Sequence, residues 1–72
     1  MVVMLINDVT VGSNFLAKPF EEWKLNGRLV DVYRLFKVDD EANYYRGQLV
    51  VPARSTRRTV IERALAKIET DY

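Results

Sequence analysis

The sequence predicts an α+β fold: a small antiparallel β-sheet of three to four strands with a C-terminal amphipathic α-helix packed on one face. Three observations predict it. Two runs rich in β-branched and aromatic residues flank a polar turn at 39–43, as in a hairpin. After Pro52 the apolar period changes from that of a strand to that of a helix. The 72 residues suffice for one domain, 1–72, and not for two.

Residues 1–11 open the chain with Val2, Val3, Leu5, Ile6, Val9, Thr10 and Val11, mostly β-branched, which favours a strand. Asn7-Asp8 interrupts it as a bulge or tight turn, and Gly12-Ser13-Asn14 ends it. Segment 19–27 supports two readings. Pro19 suits the first turn of a short helix, with Glu21 and Glu22 near its N-terminus and Asn26-Gly27 as a C-cap. Alternatively, Asn26-Gly27 is a type I′ turn joining two hairpin arms. Residues 29–38 read as a strand, although Leu29, Val32, Tyr33 and Phe36 also match helical spacing. Residues 44–51 form the second arm, stopped by Pro52.

In the closing segment Val60, Ile61, Ala64, Leu65 and Ile68 fall on one helical face, with Arg57, Arg58, Glu62, Arg63, Lys67 and Glu69 mostly on the other. Thr56 is the expected N-cap, since it lets the helix begin before its first apolar residue. The stretch from Leu49-Val50-Val51-Pro52-Ala53 into Thr56 to Leu65 resembles the strand-to-helix ending of many small proteins, phage-encoded ones among them. It reports fold and not function.

Composition narrows the chemistry. Without cysteine or histidine there is no disulfide framework, no ordinary zinc site and no common catalytic triad. Lys18, Lys24, Lys37 and Lys67 sit in polar or amphipathic contexts, where solvated surface lysines are expected. The carboxylates Asp39-Asp40-Glu41 lie in a turn, without the ligand spacing of a calcium loop. Gly12, Gly27 and Gly47 match no phosphate loop. No enzyme, cofactor, metal or small-molecule substrate is therefore expected. The apolar run Met1-Val2-Val3-Met4-Leu5-Ile6 is far short of the ~20 residues that cross a bilayer and lacks the flanks of a secretory signal. A soluble, cytoplasmic protein without membrane contact is the expectation.

Two features point to binding. Arg54, Arg57 and Arg58 crowd the helix start, where positive charge opposes the macrodipole. With Arg46, Tyr44 and Tyr45 they make a candidate patch for phosphate contact and base stacking. A net charge of +1 argues against a dedicated polyanion site, and a solvated helix face with an Arg58–Glu62 pair is the plainer reading. The second feature is surplus apolar surface. Leu29, Tyr33 and Leu35 face one side of their strand while Val30, Val32, Phe36 and Val38 face the other. One helix covers only one face, so a candidate apolar interface is placed at Leu29, Tyr33 and Leu35. The plainer alternative has Phe15, Leu16, Phe20 and Trp23 fold across the second face and close it. The functional expectation is a non-catalytic protein-binding module, a small regulator or inhibitor that occupies a partner's surface or pairs with itself as a homodimer. The alternative is a nucleic-acid-binding protein.

Overall fold

The computed structural model describes residues 7–71. Its elements are β1 (Val9–Val11), β2 (Phe15–Leu25), β3 (Arg28–Val38), β4 (Asn43–Pro52) and α1 (Arg57–Asp71). The four strands form one antiparallel sheet in chain order, and α1 packs on one face of it. The expected fold class is therefore the observed one, at the upper strand count. The expected strand at residues 1–6 lies outside the described residues.

The ambiguous segment 19–27 resolves as a strand and a turn. Leu25 pairs with Arg28, leaving a two-residue loop in which Asn26 (φ 51°) and Gly27 (φ 78°) both adopt left-handed backbone. That is a type I′ turn, whose twist matches the flanking strands, and the short-helix reading of 19–25 falls. Pro19 is tolerated because β1 pairs only with residues 15–17. Beyond them, among the described residues, the outer edge of β2 has no neighbouring strand, the setting in which a strand proline is found. The register shifts between Pro19 and Glu21, leaving Phe20 as the extra residue of a bulge.

The second hairpin turns at 39–42. Asp39 Oδ1 accepts from the Glu41 and Ala42 N–H groups at 2.8 and 2.9 Å, while Asp39 N–H donates to the Ala42 carbonyl. These bonds hold the exposed Asp39 carboxyl below its ordinary range. A second bulge sits in β4 opposite Arg34–Phe36, where Gly47 takes φ 110°. Among the described residues, β4 is a free sheet edge, and this bulge, Arg46 and Pro52 are the features that blunt such edges.

The helix starts where expected. Thr56 Oγ1 accepts the Thr59 N–H at 3.2 Å, and Val60 N–H donates to the Thr56 carbonyl. The core lies between α1 and the sheet: Val9, Val11, Ala17, Leu35, Leu49 and Val51 meet Val60 and Ala64. Phe15, Tyr33, Ile61 and Ile68 close its margins. Leu65 is a correction. It was expected on the core face, yet it is 39% exposed, because the buried stripe is centred on Val60 and Ala64 and Leu65 falls on its flank.

Candidate interaction surface

Strand alternation and register assign each residue to a face. Ala17, Leu35 and the pair Tyr33↔Leu49 share the face under α1. Leu35 is fully buried there and Tyr33 half-buried, so neither lies on an exposed apolar interface, and only Leu29 of that expected trio is open, at 52%. The side of β3 was read correctly, but the helix covers the side expected to be bare.

The opposite face follows from Leu16↔Phe36↔Tyr45, Lys18↔Arg34↔Gln48, Glu21↔Val32↔Val50 and Trp23↔Val30↔Pro52. Phe15, Leu16, Phe20 and Trp23 do not fold across it. All four are built into β2, Leu16 and Trp23 as part of this face. Among the described residues no helix or second sheet lies over it. Leu16 and Val32 are buried within it, Trp23, Val30, Phe36 and Val38 are half-buried, and Phe20, Tyr45 and Val50 are exposed.

The polar groups on this face are held locally. Lys18 Nζ lies 3.4 Å from a carboxylate oxygen of the buried Asp8. Trp23 Nε1–H donates to Glu21 Oε2 at 2.6 Å. The Arg34 guanidinium sits 3.8 Å above the Phe20 ring, a cation–π contact. Phe36 and Tyr45 meet edge to face, 5.8 Å between centroids. Aromatic and aliphatic groups thus remain outward while nearby charges are already engaged.

Arg46, Tyr44 and Tyr45 lie at the opposite end of β4 from Arg54, Arg57 and Arg58. Adjacent Tyr44 and Tyr45 point to opposite faces, in register with Lys37 and Phe36. Arg46 belongs to that end of β4, whereas Arg54 lies beyond Pro52, about 20 Å or more along an extended strand. Arg54 is held in a left-handed conformation (φ 63°), its N–H donating to Asp31 Oδ2 at 3.0 Å. Arg58 pairs with Glu62 at 3.1 Å, and both side chains are open to solvent. Arg57 borders an open cleft of about 460 Å³ with Glu21, Glu22, Asp31 and Tyr33. Burial, then the Asp31 carboxylate, pushes the Tyr33 hydroxyl above its ordinary range, so it stays protonated at neutral pH. The cleft's acidic lining suits no phosphate.

Among the described residues there is no group of three or more potential metal-binding acids. Among the described residues no helix is long and apolar enough to cross a membrane. Sequence reasoning missed the Asp31–Arg54 tie, since a non-glycine left-handed residue carries no compositional signal when it is an arginine. It also missed Phe20 as the aromatic platform for Arg34, a pairing that depends on the bulge. Comparison with protein-family models, with curated proteins and with solved structures finds no match to this chain.

Proposed function

We propose that this chain is a non-catalytic protein-binding module, a small regulator or inhibitor type that engages a protein through the helix-free face of its sheet. One observation carries the reading: the face presents Phe20, Tyr45 and Val50 outward, and among the described residues no layer covers it. Apolar side chains clustered on one surface mark interaction sites when they are contiguous. Charges engaged within the surface lower the desolvation cost of burying it. The separation of Arg46 from Arg54, Arg57 and Arg58 along β4 favours this reading over nucleic-acid binding, which needs a continuous basic footprint.

The test is site-specific photo-crosslinking in the cells that make the protein. A photoreactive residue at Val50 is expected to capture a discrete protein, and the capture should survive high salt. The same residue at Glu69, on the helix, should capture none. Capture of nucleic acid, with steep loss as salt rises, would overturn the proposal. So would equal capture from both positions, or none from Val50.

A further inference from the structure

We propose that the cleft at the start of α1 binds a free amino acid with an apolar side chain, its ammonium group held by Glu22 and Asp31 and its carboxylate by Arg57. The proposal is independent of the protein-binding reading of the helix-free face, because these three residues belong to the helix side of the sheet and to the helix itself. Register is the first ground. Glu22 and Asp31 are direct cross-strand partners, and Asp31 alternates with Tyr33 and Leu35 on the face that carries α1. Like charges in directly opposed positions destabilise a sheet. Among the described residues neither carboxylate forms an ion pair. Asp31 Oδ2 accepts the Arg54 N–H at 3.0 Å, which leaves its other oxygen open, and Glu22 has no hydrogen-bond partner among the described residues. Two acids that oppose the pairing of their own strands and lack a counter-ion are a local conflict that a bound cation relieves.

Arg57 is the second ground. It borders the same cleft of about 460 Å³ as Glu22 and Asp31, and it too is in no ion pair among the described residues. Opposite charges thus share one cleft without closing on each other. A bare metal ion fits poorly, since the guanidinium repels it and the described residues hold no group of three metal-binding side chains. A zwitterion satisfies both signs at once. The planar fork of an arginine matches a carboxylate. The Tyr33 hydroxyl, protonated at neutral pH, borders the cleft as a second donor to it. Val9 and Pro19 add apolar wall for a side chain. The volume lies within the ~300–1,000 Å³ usual for small-molecule sites.

The experiment is an amide NMR titration of the protein with L-leucine, L-methionine and L-phenylalanine, each into the millimolar range. The resonances of Glu22, Asp31, Tyr33 and Arg57 should shift saturably, and those of Tyr45 and Glu69 should stay in place. Isopentylamine, without the carboxylate, and isocaproate, without the ammonium group, should each bind about tenfold more weakly than L-leucine. Arg57→Gln and Glu22→Gln should each weaken amino-acid binding about tenfold as well. Arg58→Gln is the control, because Arg58 is already paired with Glu62, and it should leave binding unchanged. Without ligand, Glu22→Gln should melt no lower than wild type, since it removes one of two opposed charges. Saturable shifts with none of the three amino acids overturn the proposal. Isopentylamine binding as tightly as L-leucine makes the cleft a site for cations alone and overturns it too. So does a clear fall in the melting temperature of Glu22→Gln, which would show that Glu22 is already paired in solution.

Discussion

The two faces of this sheet are built from alternate residues of the same strands, yet they have different fates. Under the helix, Val11, Ala17, Leu35, Val60 and Ala64 have no solvent exposure. On the other side Phe20 and Val50 keep 39% and Tyr45 keeps 55%. Apolar content does not separate them. The helix does: Ala17 on the strand and Ala64 on the helix both belong to the buried cluster between the two layers, where dense packing excludes water. The helix-free face buries Leu16 and Val32 but leaves larger aromatic groups at its surface, and no helix or second sheet faces it among the described residues. A strand's composition therefore shows that both of its faces are apolar, while the position of the helix decides which face carries the main core cluster.

The strongest test places one charge on each face. Ala64→Asp buries a carboxylate where there is neither room nor partner, and should cost about 3 kcal/mol or more, enough to unfold much of so small a domain. Val50→Asp, in already accessible surface, should cost under about 1 kcal/mol when the protein is dilute. Urea titration of both would check the pair. Similar midpoints would mean that the faces are not as unequal as their exposures indicate.

A finer test uses neighbours in one strand. Leu35→Ala should lose about 2–5 kcal/mol, the usual range for a cavity in a sealed core. Phe36→Ala removes a larger side chain, but one half-buried on the other face and in edge contact with Tyr45. Its loss in dilute protein should be smaller than that of Leu35→Ala despite the greater volume deleted. The reverse order, read from denaturant midpoints, would place the main core on the helix-free side.

The same contrast explains what was legible in the sequence. The β3–β4 hairpin, the Thr56 cap and the α1 stripe were readable because each is fixed by local chemistry: β-branched runs around a polar turn, a hydroxyl three residues before an N–H, and a helical period. β2 was ambiguous, since Pro19-Glu21-Glu22 resembles a helix start. Pairing with β3 over its whole length, secured by the Asn26-Gly27 turn, outweighs that local preference. The covered face was not legible, because it depends on where a distant helix lands. For the same reason Leu65 was assigned inward and the trio Leu29, Tyr33 and Leu35 outward. Within the arginine patch, the length of β4 sets Arg46 apart from Arg54, Arg57 and Arg58.

Gly27 offers a smaller effect that bears on both faces at once. Its φ of 78° is one that an L side chain adopts only with strain, although a Cβ there would meet no atom within 4 Å. Gly27→Ala should therefore cost about 1–2 kcal/mol through backbone strain alone. Gly27→Asn should cost less, because asparagine tolerates left-handed backbone. Thermal melts of the two variants check this. Equal losses would show that the turn is held by something other than its backbone sign.

The smallest effect concerns the other turn, which sets how β4 presents Leu49 and Val51 to one face and Val50 to the other. Asp39 is fully exposed, and its carboxyl is held low first by the Ala42 and Glu41 N–H bonds, with Tyr44 and Lys37 adding to them. A carboxyl whose folded pKa is depressed binds fewer protons in the folded chain than in the unfolded one. Its contribution is thus present in full above the unfolded value, near 3.9, and is lost as pH falls through the lower folded value. Asp39→Asn keeps an oxygen for both N–H groups at every pH. Its loss of melting temperature below about pH 4 should be shallower than that of wild type, with little difference at neutral pH. Identical acid slopes would mean that the N–H bonds to Asp39 contribute nothing to stability, and that the register of β4 is set by its pairing with β3.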